Sequence, residues 1–474
     1  MGAVQRVAKN TIVMVLGDAG AKLLTLIYII YAARYLRVEG FGILSFSLAV
    51  TGIFSLFADI GFYELTVREV ARDRSLARKY TSNVILLKAI IVGAVFGLLF
   101  VLASVSGYPY QTVQLIYILG IAMVLDSFSM VLRASIQAFE EMEYISIGKI
   151  LRNTILLGGV FPVIYFGYGL LGFGALYLVA NLSSLVYLIF ITGRRVGRIS
   201  LDVDRKFWRW LIKEGVPFWA STAFVVILND TDKVMLSLMV GDEAVGFYSA
   251  AYRTVFALNF IPVMFISAMY PVTSRLYVTS KSHLIDVSER SFKYVLIAGL
   301  FLVVMLNYFS DFIMLTVFGG EYLPSSAPLK ILAWSQLFLY LNIVHGNLFK
   351  SANRQIVKTY QTFFAAVLNI LLNLAFIPQW SFIGASVATL ISRFFSFTFL
   401  SVLVVRDYDF SKHLLLMTIK VMLIALGFVL ASLLTGNQFF IYSFIFVVLP
   451  LIVYFGMFDE ADKQIIAKLI RIFK

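Results

Sequence analysis

The sequence predicts an all-α membrane protein with fourteen transmembrane helices, and three observations predict it. Of 474 residues, 61% are hydrophobic and only 14% charged, whereas an ordinary soluble domain is near 25% charged. Runs such as 85–104 and 414–434 hold the roughly 20 apolar residues that a bilayer-spanning helix needs. They are apolar on all sides rather than alternating, which argues against a β-barrel. Finally, the basic residues fall in alternate connections, as a helical chain crossing back and forth requires.

A hydropathy window of about 19 residues places the spans at 10–35, 41–63, 82–106, 113–138, 148–168, 170–192 and 214–240. The remainder lie at 244–273, 292–318, 327–350, 356–377, 381–405, 413–435 and 438–457. The weakest division is within 148–192, where only Gly167, Tyr168 and Gly169 separate two spans. MGAVQRVAKN runs into the first span with no small-residue cleavage site, so no removable signal peptide is expected.

The charges test this count. With the N-terminus cytoplasmic, even-numbered loops should carry the Lys and Arg. The second loop holds Arg68, Arg72, Arg74, Arg78 and Lys79, and the sixth holds seven more bases between Arg194 and Lys213. Odd loops are nearly free of base, Arg37 being the clear exception. Both termini are therefore expected in the cytoplasm, in the cytoplasmic (inner) membrane. This also accounts for the net charge of +13 without nucleic acid.

The connections are short, leaving no room for an extramembrane catalytic domain. Within the sixth loop, RKFWRWLIKE (205–214) mixes bases with two Trp and reads as a helix lying at the interface. The tail ADKQIIAKLIRIFK has an apolar helical face and reads the same way.

An internal repeat is visible. EGFGILS (39–45) after the first span and EAVGFYS (243–249) after the seventh both read Glu-x-x-Gly-x-x-Ser, 204 residues apart. GFGALYLVA (172–180) and IGASVATLI (383–391) open the sixth and twelfth spans at a similar offset. Six spans per half make the repeat parallel, and a site between parallel repeats is a transporter architecture. The expected units are 1–200 and 201–412, with 413–474 supplying spans thirteen and fourteen and the amphipathic tail.

Catalytic signatures are missing. There is no Cys, which excludes disulfides and thiolate chemistry. His283, His345 and His413 have no metal spacing, and no GxSxG elbow occurs. Asp-Thr-Asp (230–232) imitates the DxD element of glycosyltransferases but sits inside a span, away from any soluble domain. The chain is read as a non-enzyme with no metal and no resident cofactor.

Charge inside a span marks function by default. Lys88, Arg152 and Lys420 are set aside as near enough to the cytoplasmic ends to snorkel. Arg133, Asp59, Lys330 and Arg34 are set aside as lying close to span ends. The deep set is Asp18, Lys22, Asp126, Asp230, Asp232, Lys233, Arg253 and Arg393. Asp18 and Lys22, four apart, share a helix face and can neutralise each other, and Asp230 and Lys233 carry the same ambiguity. Arg253 has Phe256 and Ala257 at helical spacing and needs a partner from another helix or a ligand. Its fork suits a diphosphate. Lys22, Lys233, Arg253 and Arg393 are therefore candidate substrate-binding cations. Asp18, Asp126, Asp230 and Asp232 are candidates for pairing or for coupling to sodium or a proton. Asp230 and Asp232 point about 200° apart, so one can bind a cation while the other pairs.

The stretches VAKNTIVMVLGDAGAKLLTLIYIIYAARYLRVEGFGILSFS (7–47), FADIGFYELTVREVAR (57–72) and NDTDKVMLSLMVGDEAVGFYSAAYR (229–253), with the fourteen-span layout, resemble the polysaccharide flippases (Wzx type) of the multidrug/oligosaccharidyl-lipid/polysaccharide exporter superfamily. The likeness covers nearly the whole chain, but its motifs are diffuse. It implies two pseudo-symmetric six-helix lobes forming a V, a central cavity and alternating access. The implied cargo is a polyprenyl-diphosphate-linked oligosaccharide moved to the outer leaflet. The rival within the superfamily is a cation-coupled multidrug exporter, which normally has twelve spans. A single chain carries both lobes, so a monomer among membrane lipids is expected, with association with polysaccharide-assembly enzymes left open.

Overall fold

The computed structural model describes residues 3–195, 203–412, 414–416 and 418–420, with side chains at 17 and from 19 onward except 261 and 268. Every regular element among them is helical, and ten segments are long and apolar enough to cross a membrane. Most of span thirteen, all of span fourteen and the amphipathic tail lie outside the described residues.

α1 (Ala3–Ala58) contains the first expected span and the second as far as residue 58, where it ends five residues before the expected boundary. Its apolar part, Ala19–Ala58, has 40 residues, about 60 Å of helix against a hydrocarbon core of about 30 Å. It is broken at Arg37, whose φ of 57° and ψ of −174° are not helical. α12 (Gln355–Tyr408) likewise covers spans eleven and twelve and is broken at Ser381, with φ 51° and ψ −133°.

Between them lie α2 (Phe62–Arg72), α3 (Ala77–Val105), α4 (Tyr110–Ala138), α5 (Met142–Tyr165), α6 (Gly169–Arg195), α7 (Arg205–Met239), α8 (Asp242–Ala257), α9 (Phe260–Thr279), α10 (Lys281–Ile313) and α11 (Ser326–Ser351). The weak division at 167–169 is real: Gly167 and Gly169 both have positive φ. The Tyr168 amide reaches back to Val163 O at 3.1 Å, closing α5 as glycine-terminated helices close. α8 and α9 together fill expected span eight.

The main apolar cluster threads α1 through α4, α5, α6, α7, α8 and the turns at 314–322. A second cluster joins α9, α10, α11 and α12. Lipid tails are as apolar as Leu, so close packing of small residues holds such helices together. Ala32 and Ala33 are fully buried in that role.

The repeat has a physical counterpart. A Cβ on Gly42 would lie 1.8 Å from Asp242 O, and a Cβ on Gly246 would lie 2.1 Å from Val38 O. Gly42 and Gly246 are the equivalent glycines of the two Glu-x-x-Gly-x-x-Ser turns, and Val38 and Asp242 are equivalent too. Each half therefore presses its glycine on the same carbonyl of the other, as in an isologous contact. Nearby, Arg34 donates to Val317 O at 2.8 Å and to Thr316 O, and Tyr322 OH donates to Ala33 O at 2.9 Å. These bonds tie α1 to the π-helical turn Met314–Phe318 and the turn after it.

At the arginine-rich end a second glycine pair meets. A Cβ on Gly61 would lie 2.2 Å from Gly215 O, and one on Gly215 would lie 2.1 Å from Ile60 O. Trp219 Nε1 donates to Leu56 O beside them at 2.9 Å. Asp59 closes the corner: one carboxylate oxygen accepts from Phe62 N, the first free amide of α2, at 2.8 Å, and the other holds Lys88 Nζ at 3.0 Å.

One expectation is corrected here. RKFWRWLIKE is not a separate helix at the interface but the first part of the 35-residue α7. Its amphipathic face finds protein instead of headgroups. Asn83 Oδ1 accepts from Asp204 N and from Trp208 Nε1, each at 3.0 Å. Phe207 meets Tyr80 edge-on at 4.9 Å, and Leu211 is fully buried. Asp204 caps α7 through Phe207 N at 3.0 Å and pairs with Lys79 at 3.2 Å.

Candidate functional site

Asp232 is fully buried and ion-pairs with no cation among the described residues. Its Oδ1 accepts from Asn373 Nδ2 at 2.6 Å, and its Oδ2 accepts from Tyr248 OH at 2.5 Å and Thr389 Oγ1 at 2.7 Å. Asn373 Nδ2 also donates to Asn369 Oδ1 at 3.1 Å. Asn373 Oδ1 and Asn369 Nδ2 are buried with no partner. Burying an ionised carboxylate costs several kcal/mol even after relaxation, and neutral donors recover only part of that. Donors from α8 and α12 thus surround a carboxyl group of α7 that has no counter-charge among the described residues.

Asp230 behaves differently, as the 200° divergence anticipates. It holds Lys233 Nζ at 2.5 Å, and the same Nζ donates to Asn229 O at 3.3 Å. Lys233 also lies 4.7 Å over the Tyr252 ring. The pair is internally neutralised, which weakens Lys233 as an anion-binding charge.

Arg253, half-buried, has an Nε that is buried without a partner, and no acid pairs with it among the described residues. Arg393 donates to Asn229 Oδ1 at 2.7 Å. It lines a small cavity with Tyr252, Asn259, Gln336 and Thr389. Tyr252 has Lys233 over its ring and shares the cavity wall with Arg393. Tyr252 thus lies between two of the expected site cations, Lys233 and Arg393.

In the first half, Lys22 is half-buried on α1 and pairs with none of the described side chains. The Asp18 side chain, and with it the expected Asp18–Lys22 pairing, lies outside the described residues. Asp126 is held by Arg133 at 2.9 Å, two turns along α4, so it is a paired acid. Arg152 donates to Asn181 Oδ1 at 2.5 Å and Asn153 Oδ1 at 3.1 Å. Asn153 Nδ2 in turn donates to Ala21 O, next to Lys22, at 2.9 Å.

The snorkelling readings of Lys88 and Arg152 are therefore wrong. Lys88 is 0% exposed, because the Asp59 carboxylate from the turn after α1 gives it a closer partner than the headgroups. Arg152 spends its donors on Asn153 and Asn181, and its guanidinium lies 5.8 Å over the Tyr177 ring. The groups missed altogether are Tyr248, Tyr252, Asn369, Asn373 and Thr389. The one available signal was Asn369 and Asn373, two amides four apart in an apolar run, where each costs energy unless used.

The family described as polysaccharide biosynthesis protein matches residues 7–277, more than half of the chain, and the MatE family matches 217–375. Over 198 residues the chain is 26% identical to an uncharacterized membrane protein of Methanocaldococcus jannaschii, covering 41% of this chain and 39% of that one. It is 23% identical over 396 residues to the probable low-salt glycan biosynthesis flippase Agl15 of Haloferax volcanii, 81% of this chain and 80% of that one. Among solved structures, the lipid II flippase MurJ in its inward closed conformation superposes with a TM-score of 0.72 at 15% identity, over 94% of this chain and 98% of that one. The fold is thus that of a multi-span membrane transporter. The chain belongs to the polysaccharide biosynthesis protein family, among the polysaccharide flippases of the multidrug/oligosaccharidyl-lipid/polysaccharide exporter superfamily.

Proposed function

We propose that the protein flips a polyprenyl-diphosphate-linked oligosaccharide from the cytoplasmic to the outer leaflet by alternating access. In this reading α1 and α12 each contribute two spans, residues 1–200 and 201–412 form pseudo-symmetric six-helix lobes, and 413–474 add two spans and the tail. The arginine-rich end faces the cytoplasm, with both termini there, in the cytoplasmic membrane. The reciprocal Gly42–Gly246 contact supports the two-lobe reading.

The observation that carries the cargo assignment is Arg253, a half-buried guanidinium whose Nε has no partner. A diphosphate supplies the paired oxygens that a guanidinium fork matches. Lys22 and Arg393 add cationic character, while Lys233 contributes less because Asp230 neutralises it. Asp232 is the coupling residue for sodium or a proton, and sodium would bind its carboxylate once the Tyr248 and Thr389 hydroxyls that now donate to it turn their oxygens inward. Asp126 and Asp230 serve as pairing acids.

The test is binding of a polyprenyl-diphosphate oligosaccharide to purified protein, wild type against Arg253→Ala and Lys22→Ala. A loss of tenfold or more, about 1.4 kcal/mol, is the expected result. Wild-type binding that neither change weakens removes the site assignment and keeps the flippase. The MatE match over 217–375 favours a second reading, a cation-coupled multidrug exporter. Saturable binding of cationic drugs with no lipid binding would select it.

A further inference from the structure

α12 carries a file of buried polar groups that cargo binding does not use. Before the break at Ser381, Gln361, Asn369 and Asn373 follow steps of eight and four residues, hence one face of the helix, with fully buried Ala365 between them. After the break, Thr389, Ser392 and Ser396 follow steps of three and four, with Ser401 beyond. The two stripes are tied at both ends. Asn373 and Thr389 both donate to Asp232, and Gln361 Nε2 donates to Ser396 Oγ at 2.7 Å. Toward the arginine-rich end, Asn342 Nδ2 lies 3.5 Å from Gln361 Oε1. His345 Nε2 lies 3.2 Å from Ser401 Oγ.

Polar residues that only glue membrane helices satisfy one another. Here five atoms along the file are buried with no partner: Asn373 Oδ1, Asn369 Nδ2, Ser392 Oγ, Asn342 Oδ1 and His345 Nδ1. Buried polar groups in native proteins are almost always satisfied, by water where protein does not reach. From Asn373 to Gln361 the helix rises about 18 Å, more than half of the hydrocarbon thickness.

We propose that this file is a hydrated passage by which the coupling cation travels between Asp232 and the cytoplasm, inside the second half and separate from the cargo cavity. The inference rests on the reading of Asp232 as a cation site. Its other approach, past Thr389 into the cavity that Arg393 lines, is opposed by the guanidinium charge, a barrier of the kind that excludes cations from pores. At the arginine-rich end of the file Lys358 packs against Gly346, a positive charge that a passing cation must also meet.

The chain has no cysteine, so single cysteines report directly. Ser392→Cys, Ser396→Cys and, as a lipid-facing control, Leu371→Cys, 58% exposed on the outside of α12, are reacted in inside-out vesicles with a small membrane-impermeant methanethiosulfonate. Both serine positions are expected to react at least tenfold faster than the control. Sodium is expected to slow Ser392→Cys in the wild-type background but not in Asp232→Asn. Ala365→Leu, placed between the two reporters, is expected to slow Ser392→Cys and spare Ser396→Cys, a contrast that misfolding does not produce. Reaction at both sites no faster than the control overturns the passage, even if direct radiosodium binding still depends on Asp232. Reaction without sodium protection, while that binding is intact, leaves water in the file and overturns the ion route. Absence of sodium binding in the wild type overturns the Asp232 reading and the ion route with it, whatever the labelling.

Discussion

The reciprocal glycine contact makes the sharpest prediction. In Gly246→Ala the new methyl would stand 2.1 Å from Val38 O, and in Gly42→Ala it would stand 1.8 Å from Asp242 O. Real Cβ atoms essentially never approach closer than 3.0 Å, so the two backbones must part by about an ångström. Both obstructing atoms are main-chain carbonyls within helices and cannot rotate away as a side chain would. Overpacking of this kind costs about 1–3 kcal/mol, which corresponds to a five- to 150-fold change in a two-state equilibrium. If the contact closes the outer end, either substitution shifts the population toward outward opening by that factor. Ser45, buried one turn from Gly42, is the reporter: Ser45→Cys is labelled from outside with an impermeant maleimide. The rate is expected to rise five- to 150-fold in each alanine variant. The double variant should gain little more, because one separation relieves both clashes and neighbouring effects do not add. An unchanged rate in a variant that still purifies as a monodisperse species refutes the gating argument. A response to one glycine and not the other refutes the two-fold argument.

Three further outcomes follow from the same structure. Lys88→Met leaves the Asp59 carboxylate buried without its cation and should destabilise by about 3–5 kcal/mol, while Asp59→Asn combined with Lys88→Met should recover most of it, both read from denaturant unfolding in detergent. Asp232→Asn should abolish the sodium dependence of transport while sodium-independent lipid binding persists; retained sodium dependence would remove Asp232 from the coupling role. The Asp204 carboxyl is held below the usual aspartate range, first by the Phe207 amide it caps and then by Lys79. A lowered carboxyl pKa contributes stability that is complete above the ordinary value of about 3.9 and is lost as pH falls through the lowered one. Trp208 emission should therefore hold steady down to that ordinary value and change only below it, and a transition centred higher would contradict the capping.

What the sequence made legible follows the range of the interactions. Helix positions were readable because hydropathy is local, and the division at Gly167–Gly169 was readable because glycine marks helix ends. The Glu-x-x-Gly-x-x-Ser repeat was readable as a pattern, but not that its two glycines would meet, since nothing local brings residues 42 and 246 together. Lys88 was misjudged because snorkelling is reasoned along one helix, and its partner Asp59 arrives from the turn between α1 and α2. RKFWRWLIKE was misjudged for a related reason: an amphipathic face looks the same whether it covers headgroups or the side chains of α3. Asp232 stands out in the sequence as a charge inside an apolar run, and it is fully buried. Its surroundings come from residues 16, 141 and 157 positions away, beyond any local rule.

The stretch of α1 from Gly42 to Ala58 spans about 24 Å and is gripped near both extremities by the second half of the chain, at Gly246 and at Gly215. It is a beam clamped at two points. In the proposed alternating-access cycle, letting go at one point admits cargo from one side and costs one clamp. Letting go at both would open a conduit through the membrane and costs two, so its population is the product of two small fractions rather than either alone. Protection against leakage is thus a by-product of where two glycine contacts fall, with no dedicated plug required.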